Sequence, residues 1–169
     1  MTVAVAIRVP GVGCVIGSDG RITEDCAILA DSFVKWSDWG GLVSCWAGDL
    51  AKKTDLDRAP PADLDALRAK LRTGGGETSV LVYDRAADRL THTGSDAWLI
   101  PVASHWAIGS GGNVALGFLD GQRPAADLKS AAGLALRALR AAVRRRSSCG
   151  GRLRVVQVPH DRRRALVVT

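Results

Sequence analysis

Short apolar runs, separated by turns rich in glycine and proline, dominate the chain and predict strands. Residues 2–9 are rich in valine and alanine and predict a buried strand. Pro10 and Gly11 then make a turn, and residues 12–17 predict a second strand that closes a hairpin with the first. Further short strands are predicted at residues 26–30, 33–36, 42–47, 78–83, 89–93, 97–101, 104–108, 153–158 and 165–168.

Apolar residues at helical spacing mark four other segments. The predicted helices cover residues 49–54, 62–72, 109–120 and 127–145. In the second of these, Leu64, Leu67 and Leu71 recur at i, i+3 and i+7. The fourth is the longest, and alanine and leucine residues follow one side of it.

The order of these elements predicts the class of fold. Strands come first, then two short helices, more strands, two helices and a final strand pair. Since strands and helices do not alternate regularly, a doubly wound parallel sheet is disfavoured. We expect an α+β fold in which two antiparallel sheets pack face to face and helix pairs cover both outer faces. A length of 169 residues fits one domain, 1–169.

Charge is distributed unevenly and narrows the possible partners. The net charge is +6, but residues 122–169 carry 12 basic and 2 acidic side chains, whereas the rest carries 11 basic and 15 acidic ones. Arg137, Arg140 and Arg144 lie at helical spacing opposite the apolar stripe, and no aromatic residues interleave with them. This pattern favours a solvated face or a subunit contact, and we expect no nucleic-acid partner.

Neither a membrane span nor a secretory leader is predicted. No apolar run approaches the roughly 20 residues that a membrane helix needs. The chain also starts without a basic region before its apolar stretch or a cleavage site after it, so the expected location is cytoplasmic.

The spacing of cysteine and histidine residues gives no metal pattern. The cysteines are expected to be reduced, mostly buried thiols, and the histidines are scattered. We therefore expect neither a metal nor another cofactor. These residues are Cys14, Cys26, Cys45, Cys149, His92, His105 and His160.

The start of the chain offers a nucleophile. Met1 precedes a small residue, Thr2, and methionine is usually removed in that context. A free N-terminal threonine carries a hydroxyl nucleophile and an α-amine, whose pKa of about 7.7–8.0 lets it accept a proton at neutral pH. Alone this signal is weak, because many proteins begin in the same way.

Two charged residues strengthen the signal from Thr2. Asp19 ends the strand that neighbours the one starting at Thr2, and Lys35 stands in the apolar, aromatic segment 33–36. A buried lysine is costly unless an opposite charge accompanies it, so Asp19 is its expected partner.

These residues belong to a set of segments that resembles the proteasome β-subunit family, especially the HslV-type peptidases and small bacterial proteasome homologues. Each segment is modest alone, but together they occur in the family's order and at nearly its intervals. The matching features are residues 2–6 (TVAVA), 16–20 (IGSDG), the 16-residue step from Asp19 to Lys35, 46–48 (WAG), 107–112 (AIGSGG) and 115–120 (ALGFLD).

The resemblance implies a fold and a set of roles. The fold would be the four-layer αββα sandwich of N-terminal-nucleophile (Ntn) hydrolases. Thr2, freed of Met1, would attack the peptide carbonyl and form an acyl-enzyme. Lys35, held charged by Asp19, would lower the hydroxyl pKa. The N–H of Gly48 would stabilise the oxyanion, and Ser110 would orient the α-amine.

The resemblance also implies a substrate pocket, and the sequence departs from the family pattern at two places. The pocket would be apolar, would bind the residue before the scissile bond and would be lined by Phe33, Trp46 and Leu50. The alternative interpretation of these three residues is core packing. The segment from Gly48 to Thr78 is about 30 residues, which implies a shortened first helical hairpin. In residues 146–151 (RSSCGG), an arginine and a cysteine stand where many members have an aspartate and a serine.

The resemblance thus implies a threonine peptidase that acts on peptides or unfolded proteins within a ring or related homo-oligomer. It also implies an ATP-dependent unfoldase as partner, although no docking motif for one is recognisable in the sequence. Two alternatives remain open. The chain would be a catalytically silent structural subunit if Met1 is retained, or an Ntn amidase or peptide ligase if the same residues act on a small amide.

Overall fold

Two five-stranded antiparallel sheets stack face to face, and a pair of helices packs on the outer side of each. The structure is a computed structural model and describes residues 2–24, 27–73, 76–96, 98–161 and 165–168. Met1, Cys26 and Ala97, which enter the predictions above, lie outside the described residues.

The strands and helices follow the predicted order. The strands are β1 (Ala4–Val9), β2 (Gly13–Ser18), β3 (Ile22–Glu24), β4 (Ala27–Ala30), β5 (Trp36–Asp38), β6 (Leu42–Gly48), β7 (Thr78–Asp84), β8 (Arg89–Gly94), β9 (Ile100–Val102), β10 (His105–Ile108), β11 (Arg154–Pro159) and β12 (Leu166–Val168). The helices are α1 (Leu50–Arg58), α2 (Leu64–Arg72), α3 (Gly112–Asp120) and α4 (Leu128–Arg145).

The first sheet has the strand order β10-β1-β2-β11-β12, and the second has the order β5-β6-β7-β8-β9. Strands β3 and β4 form a separate hairpin. The N-terminal strand β1 is central, since it pairs antiparallel with both β2 and β10. Thr2 and Val3, which precede β1, therefore lie near the ends of β2 and β10.

Alternation of side chains along β1 explains how the layers form. Val3 and Val5 face α3 and α4, whereas Ala4 and Ala6 face the second sheet. Because successive side chains of a strand point to opposite faces, one strand contributes to two separate cores. Its larger side chains pack under the helices, and its small ones lie where the two sheets meet.

The second sheet divides its side chains in the same way. Val80 and Val82 of β7 pack with the leucines of α1 and α2, whereas Leu81 and Tyr83 lie between the sheets. The chain is thus an αββα sandwich with three apolar layers, and the predicted fold class is confirmed. Helices α1 and α2 have nine residues each, so the first helical pair is short.

Side chains that cap the helices fix where they begin. Asp49 and Asp63 accept backbone N–H groups at the starts of α1 and α2. Asp127 and Ser130 form a reciprocal capping box at the start of α4, which has 18 residues. None of the helices in the described part of the chain is long and apolar enough to cross a bilayer.

Some predicted boundaries were wrong. Residues 33–35 are irregular and β5 begins only at Trp36, so Lys35 is not in a strand. Strand β3 was not predicted. Helix α3 begins at Gly112 rather than at Gly109, because Gly109 has a φ of +85° that lies outside the right-handed helical region.

Replacing Asp127 by alanine tests the cap of α4. Loss of the side-chain acceptor leaves the N–H of Ser130 without this partner, and we expect a loss of about 1 kcal/mol in the free energy of unfolding. Urea denaturation of Asp127→Ala against wild type measures it. Asp161→Ala, in the exposed turn after β11, is the matched control and should leave the midpoint nearly unchanged. Equal effects in the two variants would contradict the assigned cap.

Candidate active site

Thr2 is buried two residues before β1, and the turn between β10 and α3 contacts its backbone. The N–H of Gly111 donates to the Thr2 carbonyl oxygen at 3.2 Å. The Ser110 hydroxyl donates to the same oxygen at 3.4 Å. The turn between β10 and α3 therefore fixes the position of Thr2, although 108 residues separate Thr2 from Ser110 in the sequence.

The side chain of Thr2 meets Lys35. The Lys35 ammonium donates to Thr2 Oγ1 at 2.7 Å and to Asp19 Oδ1 at 2.8 Å, and its third hydrogen bond goes to the backbone carbonyl of Arg21. An ammonium has three N–H donors, so all of them are used. Lys35 and Asp19 have side-chain exposures of 1% and 0%.

Asp19 is the centre of the hydrogen bonds around this ammonium. Besides Lys35, its carboxylate accepts the N–H of Val3 at 3.0 Å and the N–H of Gly150 at 2.9 Å. Burial lowers the pKa of Lys35 from its ordinary value, while the charge of Asp19 and the hydrogen bond to it raise that pKa. The carboxylate thus opposes the tendency of burial to neutralise the lysine.

Gly48 ends β6 beside Thr2 in a conformation that requires glycine. Its φ is +106°, and a Cβ atom at this position would overlap the carbonyl oxygen of Glu77. The N–H of Asp49 donates to that carbonyl. N–H groups alternate in direction along an antiparallel strand, so Gly48 and Trp46, two residues apart, share one direction. The N–H of Trp46 donates to the carbonyl of Lys35, on the side of β6 away from β7. The N–H of Gly48 therefore also points away from β7.

Ser110 follows a second glycine of this kind. A Cβ atom on Gly109 would overlap the carbonyl oxygen of Thr2, so the turn can approach Thr2 only with glycine there. Ser110 Oγ lies 3.4 Å from Ser148 Oγ and 3.6 Å from Cys149 Sγ. The buried thiol of Cys149 therefore lies against the serine that holds the Thr2 backbone, while Arg146 is exposed.

The structure brings Thr2, Asp19, Lys35, Gly48 and Ser110 to one place but does not bring the three predicted pocket residues to the cavity beside them. Phe33, Trp46 and Leu50 are absent from the described lining of that cavity.

Trp46 is a core residue rather than a pocket residue. Alternation along β6 puts it on the face opposite Ala47, and it is only 1% exposed. There it packs under α1 and α2, with its ring centroid 6.1 Å from that of Trp39. Phe33 is half-buried, with the Lys53 ammonium 5.9 Å from its ring centroid, and Leu50 is half-buried at the start of α1.

The cavity itself was missed by the sequence reasoning. It has a volume of about 650 Å³ and is open to solvent beside Thr2, Gly48 and Ser110. Side chains from β7, β8 and the segment before β9 complete its wall. Alternation within β7 and β8 could have placed Ser79 and His92 on the inter-sheet face. Their pairing depends on the register between the strands, which the sequence does not supply.

A double-mutant cycle tests the buried ion pair. Asp19→Asn leaves a buried cation without its counter-charge, and Lys35→Met leaves a buried anion, so each should lower the free energy of unfolding by about 3–5 kcal/mol. The double variant should lose much less than the sum of the two. Urea denaturation at pH 7 measures all four proteins.

The exposed pair Asp55 and Arg58 is the control for this cycle, with side chains 75% and 78% exposed. Asp55→Asn and Arg58→Met should show a coupling of less than about 1 kcal/mol. Additive losses at Asp19 and Lys35 would contradict the ion pair as the source of stability.

Comparison with known proteins gives the family. A model of the proteasome subunit family matches residues 65–158, that is 94 of the 169 residues. No curated protein matches the chain significantly. The matched stretch contains Ser110, whereas Thr2, Asp19, Lys35 and Gly48 precede it. With more than half of the chain matched and an αββα sandwich around the site, the chain belongs to the proteasome subunit family.

Proposed function

We propose that this chain is an N-terminal threonine peptidase that cleaves peptide bonds through an acyl-enzyme on Thr2. The observation that carries the proposal is the 2.7 Å hydrogen bond from the Lys35 ammonium to Thr2 Oγ1, with Asp19 directly behind Lys35. A buried cation on a hydroxyl oxygen favours the alkoxide form of that hydroxyl, which is the form a nucleophile needs.

The reaction requires removal of Met1, which lies outside the described residues. Thr2 Oγ1 then attacks the peptide carbonyl carbon, and its proton passes to the free α-amine of Thr2. When the C–N bond breaks, the α-amine returns this proton to the departing nitrogen. Water next attacks the ester by the same route, releasing the acid and restoring Thr2.

Lys35 acts electrostatically in this scheme. Its three N–H donors are already bound to Thr2, Asp19 and Arg21, so it has no lone pair with which to accept a proton. A free α-amine, whose pKa is ordinarily about 7.7–8.0, is the better base at neutral pH.

Gly48 and Ser110 complete the proposed machinery. The N–H of Gly48 would donate to the oxyanion of the tetrahedral intermediate, and one such donor is typically worth about 3–4 kcal/mol of transition-state stabilisation. Ser110 would orient the α-amine, because its hydroxyl already lies against the backbone of Thr2. Ser148 and Cys149 would support Ser110 in the place of the family's usual partners.

We further propose that the chain works as a homo-oligomer in the cytoplasm and acts on peptides or unfolded proteins. Proteasome-family members form oligomeric assemblies, which supports the first part. The HslV-type relationship and an ATP-dependent unfoldase partner belong to this proposal as well. The alternative, an Ntn amidase or peptide ligase that acts on a small amide, can be separated from the peptidase by experiment. A panel of linear peptides is tested for hydrolysis and for transpeptidation.

A second candidate function is a catalytically silent subunit of the same fold. The observation that favours it is the loop at residues 146–151, where a thiol lies beside Ser110 and an exposed arginine stands in place of an acid. This candidate predicts that Met1 is retained and that Thr2 is never acylated.

Covalent labelling separates the two candidates. A peptide epoxyketone forms its adduct only with the hydroxyl and amine of an N-terminal threonine. We expect intact-protein mass spectrometry to find Met1 absent and one adduct on wild type, and no adduct on Thr2→Ala. A variant with leucine inserted between Met1 and Thr2, which keeps a residue before the threonine, is the matched control and should stay unlabelled. Retained Met1 with no labelling of wild type would contradict the peptidase.

The pH dependence of acylation tests the assignment of base and cation. The rate should rise as the α-amine loses its proton, with an apparent pKa near the amine's usual range of about 7.7–8.0. It should fall again at higher pH, below the ordinary lysine pKa of 10.5, because burial lowers the pKa of Lys35 and its charge is then lost. Initial rates of adduct formation between pH 6 and 10 measure both limbs. A rate independent of pH would argue against the α-amine as base.

A further inference from the structure

The cavity beside Thr2 lies where the ends of the two sheets meet. Its volume of about 650 Å³ is within the range of roughly 300–1,000 Å³ that is usual for ligand pockets. Ala47 of β6 and Gly109 after β10 form its inner edge, since a Cβ atom on Gly109 would lie 3.2 Å from that of Ala47. This space is large enough for at least one substrate residue in addition to the scissile bond.

Its inter-sheet wall is polar but uncharged. Ser79 Oγ and His92 Nε2 lie 2.8 Å apart and share a hydrogen bond. The His92 ring stacks on the ring of Trp106 in the opposite sheet, with a centroid distance of 6.1 Å and an angle of 29°. Burial lowers the pKa of His92 and so favours the uncharged imidazole, although the charge of Asp96 opposes this shift. Neither Ser79 nor His92 has a part in the proposed reaction.

The outer wall combines exposed apolar side chains with carboxylates. Trp98 and Ile100 are 67% and 48% exposed, which is unusual for such large apolar groups and is typical of binding surfaces. Glu77 and Asp96 are exposed at the same wall, and the described lining residues include no lysine or arginine. The wall is therefore suited to a large apolar group and unsuited to an anion.

The position of the cavity relative to Thr2 indicates which part of the substrate, before or after the scissile bond, occupies the cavity. Gly109 and Ser110, which lie against the backbone of Thr2, belong to the cavity wall, whereas Lys35 and Asp19 do not. In the proposed reaction the α-amine, oriented by Ser110, returns a proton to the departing nitrogen. A departing amine must lie within hydrogen-bond reach of that group, which places it on the cavity side of Thr2.

We propose that this cavity binds the part of the substrate that follows the cut and prefers a large apolar or aromatic residue directly after the scissile bond, with an acidic residue disfavoured. Trp98 and Ile100 contact that residue, and the hydrogen-bonded Ser79–His92 pair forms the polar wall. The inference rests on the proposed function and adds a preference that the catalytic residues themselves do not determine.

Competition between amines and water for the acyl-enzyme isolates this side of the site. Acyl-Thr2 is formed from an activated peptide ester whose small leaving group does not fill the cavity. Added amino-acid amides then attack: the amine nitrogen bonds to the ester carbonyl carbon, the C–Oγ bond breaks, and the nitrogen's proton reaches Oγ through the α-amine. Mass spectrometry measures the ratio of amide product to acid product.

We expect phenylalaninamide to give a ratio about tenfold above that of glycinamide, since burial of an aromatic ring is worth at least that factor. Aspartic acid α-amide should fall below glycinamide. Trp98→Ala and Ile100→Ala should each reduce the phenylalaninamide advantage. Leu166→Ala, an exposed leucine on the edge strand β12 and outside this cavity, is the control and should retain it.

The outcomes distinguish this inference from the function on which it rests. If acyl-Thr2 forms normally but phenylalaninamide and glycinamide give equal ratios, or if Trp98→Ala and Ile100→Ala both keep the wild-type preference, the subsite is wrong and the peptidase stands. If the activated ester never acylates Thr2, the proposed function fails and the subsite fails with it.

Discussion

The buried ion pair between Lys35 and Asp19 is the interaction on which the site depends. Two fully buried charges are tolerated only when each is neutralised and its hydrogen bonds are satisfied. Here the carboxylate also accepts the N–H groups of Val3 and Gly150, and the ammonium also contacts Thr2. The pair thereby links the first strand, the irregular segment before β5 and the loop before β11. Its position is determined by the assembled fold.

Two glycines, Gly48 and Gly109, allow other backbone segments to come close to Thr2. Gly48 and Gly109 both have positive φ angles, and a side chain on either would overlap a carbonyl oxygen next to the site. Through Gly109 the turn that carries Ser110 approaches Thr2, and through Gly48 the end of β6 lines the same cavity as Thr2. Thr2 therefore contacts the buried charged pair through its hydroxyl and lines the open cavity together with Gly48 and Ser110.

These two sides differ in character. The Lys35 side is buried and charged, which suits a group that changes the reactivity of Thr2 without contacting bulk solvent. The cavity side is open and carries His92 with exposed Trp98 and Ile100, which suits recognition of a substrate. With the two sides separate, the reactivity of Thr2 does not depend on which substrate residues the cavity prefers. Behind Ser110 lie the Ser148 hydroxyl and the buried Cys149 thiol, while Ser110 itself contacts the carbonyl oxygen of Thr2.

The sequence by itself determined the element order, the pairing of β1 with β2 and the approximate positions of Asp19 and Lys35, because local spacing and turn residues carry that information. Burial of Lys35 followed from its apolar neighbours. Only the tertiary structure decided that Trp46 packs under the helices, that Ser79 meets His92, and that a cavity opens beside Ser110. The period of a strand says that neighbouring side chains face opposite ways, but which face meets which layer depends on strand register and sheet packing, and both arise from contacts between residues far apart in the chain.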